Sequence, residues 1–422
     1  MGYMHRSISG TVTTFTVSMW TKLCGLNFID SLWGSGSNYG LFINSTRPIK
    51  MQGGGSPPTS TRLFRDTNGW YHVVYKCSGG SATTYINGES VITSSGVSIS
   101  SDIAIGALNS SGGDSTKSSI FFADVIFVDG TALNPTSFAE TDSTTGEWKP
   151  KSFSGSYGTN GFKLEFKNSG ALGTDTSGNG NNLTLSGSNT QMVSSPTNTF
   201  ATIDRLNGNP TLNGSGNPVD GLRYGNLEVN ANAGSVGNDN YMWSPSNMMV
   251  TKGKWYAEFK LTGAFSTTGD AAHLVGVGSG SYPYLAGNRS TAIGGFTTYW
   301  IDHPDDRIIV DGSVSNTSVT GGSKFVQNDI LGVYLNCDTT IPQVTFTKNG
   351  AALPGASNSP YNVRRTGAYS YDDNLPIAFF TVIKYGTTSG TGWGKIQANF
   401  GEPLYTVSSS NADANGHGSF EY

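Results

Sequence analysis

Charge is what this chain lacks first. Only 13% of its 422 residues are Asp, Glu, Lys or Arg, and no Lys/Arg cluster stands out. Binding through a phosphate backbone needs such a cluster, so nucleic acid is excluded as a partner. No apolar stretch approaches the length of a membrane-crossing helix, which argues against membrane insertion. The first residues, Met1-Gly2-Tyr3-Met4-His5-Arg6, carry no apolar secretion signal. Either the protein is not secreted by that route, or this chain begins inside a longer one. No window shows sustained 3.6-residue periodicity, and no heptad supports a coiled coil. Cys24, Cys77 and Cys337 are too few, and odd in number, for a disulfide framework. They read as reduced thiols, with a Cys24–Cys77 bridge as the alternative, and this usage fits synthesis in a reducing cytosol.

What the chain has is glycine, hydroxyl and amide residues, and aromatics. Its 57 glycines belong in turns, because glycine costs backbone entropy inside helices and strands. Aromatics at 11% supply large β cores and separate the chain from disordered sequences of similar polarity. Strand signals recur every eight to twelve residues, as in sandwiches. In the first half they cover Phe15–Trp20, Gly40–Ile43, Trp70–Lys76, Thr83–Ile86, Ile103–Gly106, Ile120–Val128 and Phe162–Phe166. In the second they cover Leu222–Val229, Lys254–Leu261, His273–Gly278, Tyr299–Ile301, Arg307–Val310, Ile330–Leu335, Val344–Lys348, Ile377–Ile383 and Lys395–Phe400. One short helical turn is expected at Asn134–Phe138, with Asn134 as cap and Pro135 first.

One pattern occurs twice. Thr84-Tyr85-Ile86-Asn87-Gly88 and Thr345-Phe346-Thr347-Lys348-Asn349-Gly350 are alternating β runs that end in Asn-Gly, the strongest short hairpin signal. Each follows an aromatic-rich strand, at Trp70–Tyr75 and Asp329–Leu335. Ser186–Thr199 reads as a linker. The fold class is therefore all-β with almost no helix: two tandem antiparallel jelly-roll β-sandwiches, over residues 1–190 and 200–422. Gly418–Tyr422 reads as a strand-like run, so the chain is expected to continue beyond 422.

Chemistry is weakly signalled. Glycoside hydrolysis needs paired carboxylates flanking the bond. Glu140-Thr141-Asp142 begins such a pattern, but Glu147 falls at an odd offset beyond a Thr144-Thr145-Gly146 turn. His72 lies inside a strand, in a core or rim position, and no nucleophile elbow or zinc spacing is present. Asp175, Ser177 and Asn179 followed by Gly180 copy the first half of a calcium loop, but Ser186 holds the place of the bidentate Glu. This reads as an Asx-turn loop, with calcium as the weaker alternative. Asp302, Asp305, Asp306 and Asp311 read as a solvated acidic hairpin. Sugars are gripped by aromatic faces with amide, hydroxyl and Arg donors at loop tips. Tyr282, Tyr284, Arg289, Tyr299, Trp300 and Trp393 fit that description in the second half, and Trp33, Tyr39, Arg62 and Arg65 in the first; packing is the competing role for each.

Several runs resemble known families. Phe15–Trp20, Gly69–Val74, Tyr85–Gly88, Ile105–Ala107 and Phe122–Phe127 resemble laminin-G-like, concanavalin A-like jelly rolls. Gly253–Phe259, Val275–Gly278, Asn328–Val333, Phe346–Gly350 and Ala398–Gly401 resemble a SPRY domain, a related sandwich. The series Phe122–Val125 to Asp129-Gly130, Gly155–Phe162, Asp175–Asn182 and Ser195–Asn198 is similar to a class of virion structural proteins of tailed phages of aquatic bacteria. That resemblance implies a non-catalytic surface protein in a fibre, spike or capsid appendage, assembled in the host cytoplasm. Its implied partners are copies of itself, as trimers, other virion proteins and bacterial surface glycans. The competing readings are a secreted bacterial carbohydrate-binding protein and a glycan depolymerase.

Overall fold

Alternation of apolar and polar residues governs this chain, and its strands follow. The computed structural model of the chain describes residues 2–24, 30–36, 39–43, 48–52, 58–109, 120–204, 222–230, 240–263, 273–279, 296–301, 307–310, 313–318, 325–353, 360–363, 376–385, 395–409 and 411–422. It divides into two compact units, Met1–Thr199 and Phe200–Tyr422. The segment read as a linker thus falls within the first unit, where Ser195 and Asn198 form a bridge.

The first unit contains β1 (Tyr3–Val12), β2 (Phe15–Lys22), β3 (Asp30–Ser35), β4 (Tyr39–Ile43), β5 (Pro48–Gln52), β6 (Thr59–Leu63), β7 (Trp70–Ser78), β8 (Ser81–Ile86), β9 (Glu89–Ser94), β10 (Ile99–Ile105), β11 (Phe121–Asp129), β12 (Ala139–Thr141), β13 (Trp148–Pro150), β14 (Phe162–Leu164) and β15 (Thr184–Ser186). A seven-stranded sheet, β15-β1-β10-β3-β4-β5-β6, faces a six-stranded one, β14-β11-β2-β7-β8-β9. Their inner faces share one core, in which Trp33 of one sheet packs against Phe15 and Tyr75 of the other at 5.9 and 4.9 Å. Trp33 is fully buried there, so it is a core residue and not a sugar contact. The cysteines form no disulfide. The expected helix is a single 3₁₀ turn, Pro135–Ser137. Asn134 does not cap it; its Oδ1 accepts from Lys76 Nζ at 2.8 Å instead. The run expected to reach Phe166 stops at Leu164, because Phe166 turns to φ 55°.

The second unit contains β16 (Leu222–Arg223), β17 (Glu228–Asn230), β18 (Asn240–Pro245), β19 (Lys254–Leu261), β20 (His273–Ser279), β21 (Phe296–Ile301), β22 (Arg307–Val310), β23 (Ser313–Ser318), β24 (Ile330–Asn336), β25 (Gln343–Lys348), β26 (Ala351–Ala352), β27 (Tyr361–Asn362), β28 (Ile377–Tyr385) and β29 (Lys395–Asn399). An eight-stranded sheet runs β16-β17-β29-β19-β24-β25-β26, with β27 also on β25, and a six-stranded one runs β18-β28-β20-β21-β22-β23. Phe259, Val333 and Phe346 from the first and Val275, Val277 and Phe379 from the second fill the core. The Leu222–Val229 run is a tight hairpin, broken where Tyr224, Gly225 and Asn226 take positive φ. Gly418–Tyr422 adds no strand; Phe420 makes one isolated bridge to Asn411.

The two Asn-Gly turns are built alike. Asn87 and Asn349 sit at φ 49° and 48°. Asn87 N–H donates to the His72 carbonyl at 2.9 Å, and its Oδ1 accepts from His72 N–H at 2.8 Å. Asn349 makes the same reciprocal pair with Ile330, at 2.9 and 2.8 Å. Each turn therefore staples itself to the neighbouring strand through one side chain.

Candidate functional site

Each sandwich carries a third layer on the outer face of one sheet. In the first unit it is the segment from Gly130 to Tyr157. The outward side chains of β2 are Thr16, Ser18, Trp20 and Lys22, and all four are buried. Thr16 Oγ1 donates to the Thr131 carbonyl and accepts from Leu133 N–H, both at 2.8 Å. Val74, Ile126, Val128 and Phe138 form a small apolar cluster under this cover, with Tyr85 and Phe153.

At one end of the same face the cover stops and aromatic rings come to the surface. Phe121, Lys22 and Trp70 stand opposite one another on β11, β2 and β7, and Ala123, Trp20 and His72 form the next row. Trp70 and Phe121 lie 6.2 Å apart, and the buried Lys22 ammonium is 5.9 Å from the Phe121 ring. Trp20 stacks on His72 at 4.8 Å, and Trp148, delivered by β13, lies 6.0 Å from His72 and covers Gly88. Trp70, Phe121 and Trp148 are half-buried. The Trp70 Nε1 atom is buried without a hydrogen-bond partner. Half-exposed rings around a few polar groups are the usual make-up of a ligand site.

His72 has a fixed role in this cluster. Trp148 Nε1–H donates to its Nδ1 at 3.1 Å, so the ring proton of the neutral form is on Nε2 and points to Ser18 Oγ at 2.9 Å. Burial pushes its pKa down to about 3. The histidine donates to the serine rather than taking its proton, so the pair is no activated nucleophile. Among the acids weighed for hydrolysis, Asp142 is committed to structural bonds. Asp142 Oδ1 accepts from Thr144 and Thr145 N–H at 2.8 and 2.9 Å, and Oδ2 from Lys149 Nζ at 2.8 Å. These bonds hold its carboxyl well below the usual range. Glu140 lies on β12, and Glu147 on the turn that Asp142 organises. On β11, Asp124 sits at a bulge with φ 45°, where burial pushes its carboxyl up.

The loop weighed for calcium is satisfied by protein donors. Asp175 Oδ1 accepts from Lys163 and Ser177 N–H at 2.9 and 2.8 Å, and Oδ2 from Ser177 Oγ and Asn181 N–H at 2.9 and 2.8 Å. Asn179 Nδ2 donates outward to the Gly158 and Gly161 carbonyls. Asn160 joins in: its backbone and side-chain N–H reach Asp129 Oδ2 at 3.0 and 2.9 Å, and its Oδ1 accepts from Ser9 N–H. Of the series that carried the virion resemblance, Asp129, residues 158–161 and residues 175–181 thus meet in one hydrogen-bonded knot, whereas Ser195 and Asn198 bond to each other. Among the described residues no group of three or more His, Cys, Asp or Glu is placed to hold a metal.

Tyr282, Tyr284, Arg289 and Trp393 lie outside the described residues, as do Asp302, Asp305, Asp306 and Asp311. Tyr299 and Trp300 are in β21, and Tyr39 begins β4. Arg62 is exposed and pairs with Glu89 at 2.6 Å; Arg65 is exposed. Trp20, Trp70, Phe121 and Trp148 were not singled out from sequence. Their signal was the position of Trp70 and Trp20 in paired strands with outward parity.

The second unit's third layer is the segment from Glu402 to Tyr422, and it centres on Glu258. This carboxylate is fully buried on the outer face of β19. Its Oε1 accepts from Tyr256 Oη at 3.1 Å and Tyr422 N–H at 2.9 Å. Its Oε2 accepts from Asn399 Nδ2 at 2.9 Å, Tyr405 Oη at 2.8 Å and Glu421 N–H at 3.1 Å. Burial, with Glu258 beside them, raises both tyrosine pKa values. Tyr422 packs over Gly350 as Trp148 does over Gly88.

Residues 4–125 match a family model, Laminin_G_3, described as the concanavalin A-like lectin/glucanases superfamily. No curated protein matches the chain in sequence. The chain is similar in structure to the SPRY domain of human HERC1, at 16% identity and TM-score 0.30, covering 46% of this chain and 96% of that one. It is similar to a SAP-like pentraxin from Limulus polyphemus, at 16% identity and TM-score 0.28, covering 36% and 86%. Domain 4 of the arabinanase AbnA from Geobacillus stearothermophilus, solved with arabinotriose, is similar at 15% identity and TM-score 0.24, covering 31% and 66%. Both units are antiparallel β-sandwiches, and the stretch of the first that matches the concanavalin A-like model is the one whose runs resemble laminin-G-like jelly rolls.

Proposed function

We propose that this protein is a non-catalytic, glycan-binding surface protein of a tailed-phage virion, carried in a fibre, spike or capsid appendage as a homo-oligomer. The observation that carries the binding reading is the half-exposed ring cluster Trp70, Phe121 and Trp148 beside Lys22, on strands of the segment that matches the lectin/glucanase superfamily or next to them. Such half-exposed rings offer apolar faces to sugar C–H groups. The non-catalytic reading is supported by the commitments of His72 and Asp142 to structural hydrogen bonds. The virion reading is supported by the residue series at 122–130, 155–162, 175–182 and 195–198 and by the weakly charged composition, which suits a particle that must not stick nonspecifically.

The test is to incubate the full chain with bacterial envelope polysaccharides. Binding without shortening of the chains is expected, and Trp70→Ala should weaken it by about tenfold, roughly 1.4 kcal/mol. Shortened polysaccharide would overturn the non-catalytic reading, and no retention by any envelope polysaccharide would overturn glycan binding. Antibody labelling of phage particles under the electron microscope tests the location. Label at a tail tip means receptor binding, label on capsid facets means decoration, and unlabelled particles sink the virion reading.

A further inference from the structure

We propose that the second unit carries its own site for a neutral polysaccharide, a tyrosine platform on the outer face of its eight-stranded sheet. The ligand class rests on the glycan-binding reading above, but the site is a different surface. Tyr256 on β19 and Tyr334 on β24 are partners in register, and their rings pack 4.3 Å apart at 33°. Tyr256 is held on two sides: its hydroxyl donates to Glu258, and Phe420 packs against its ring at 5.4 Å. It can lie over β24 because Gly332 has no Cβ; one would meet Tyr256 Oη at 2.9 Å and Thr347 Oγ1 at 2.3 Å. Tyr334 is 41% exposed on this rigid support. An exposed ring usually costs entropy to fix upon binding, and here that cost is already met by packing. Thr347, 8% exposed, adds a hydroxyl with no hydrogen-bond partner beneath the rings.

The surroundings select the ligand. Thr345 on β25 stands opposite Tyr334. One row further, about 7 Å along the strands, Asn336 faces Gln343, and Gln343 Nε2 donates to Asn362 Oδ1 at 3.4 Å. Lys254 ends that row opposite Asn336. A flat ring beside a row of amides matches alternating C–H faces and hydroxyl edges of a sugar chain. Neither row carries a carboxylate, and the one cation stands at the rim. A protein partner would need contiguous apolar anchors, which one exposed tyrosine among amides does not supply.

The experiment uses the full chain and linear hexaoses of glucose, mannose and galactose, read by calorimetric titration and saturation-transfer NMR. With Trp70→Ala, binding to at least one hexaose should persist, and adding Tyr334→Ala should abolish it. Tyr334→Phe should keep affinity within about twofold, because the ring face does the work. Tyr334 is exposed, so its variants are expected to fold; near-ultraviolet dichroism checks this. If Trp70→Ala alone abolishes all hexaose binding, this proposal fails while the first-unit site stands. If Tyr334→Ala leaves binding unchanged in the Trp70→Ala background, the platform is not the site. If the unaltered chain binds none of the hexaoses but holds envelope polysaccharide, the neutral class is wrong and only the wider reading survives.

Discussion

Protonating His72 inside the folded first unit is opposed by burial, which holds its pKa near 3 against an ordinary 6.5. Between those values the unfolded chain binds the proton and the folded one does not, so stability rises with pH across that window. Taken from pH 7 to pH 5, the first unit should lose about 2 kcal/mol, since each unit of pH below the unfolded pKa costs about 1.4. Urea unfolding at the two pH values measures it. His72→Gln should flatten the dependence, and an equally steep loss in that variant would assign it to other groups. The Asn-Gly turns give a second prediction. Asn87→Gly keeps the freedom to adopt φ near 49° but removes the Oδ1 that accepts from His72 N–H. It should cost about 1–2 kcal/mol, and Asn87→Ala about 1 more because of the left-handed backbone. Asn349→Gly should cost at least as much, since Asn349 Nδ2 also donates to Asp329 at 2.7 Å. Equal stability of the glycine variants and the parent in urea would rule out the staple.

Elements show where sequence reading succeeds and where it stops. Lys254–Leu261 and Arg307–Val310 were legible to the residue, because alternation and turn residues are local signals. Strand β1 was passed over: Tyr3–Val12 mixes His, Arg, Ser and Thr, and a bulge between Ser7 and Thr11 breaks its alternation. Both third layers were invisible for a different reason. Thr16 and Ser18 look like a solvent face, His72 reads only as a core or rim residue, and their covers arrive from far along the chain without periodicity of their own. The first-unit ring cluster shares that origin, since Trp148 meets His72 across 76 residues. Tyr282, Tyr284, Arg289 and Trp393 followed a sound rule about loop tips but lie beyond the described residues. The covers also make a prediction. Glu258→Gln turns an amide N–H₂ toward groups that donate to the carboxylate, leaving buried donors unpaired. It should destabilise the second unit by about 3 kcal/mol. Amide exchange in residues 402–422 should accelerate; unchanged protection there would mean that other contacts hold the segment.

At the scale of the whole molecule, two compact units with separate cores predict two thermal transitions. Glu258→Gln should lower one and Asn87→Gly the other, and a single transition shifted by both variants would show that the units melt together. The layout of the first unit has a further outcome, for folding speed. Strand β1 pairs with β10 and with β15, and Ser9 waits for Asn160, 151 residues away. Its edges stay open until residues from both ends of the unit are present. Such contact order places folding among the slow, millisecond-to-second β proteins. While the nascent chain emerges, the edge of β1 that β15 later covers is open to other copies, so the yield of folded protein should fall as the rate of synthesis rises.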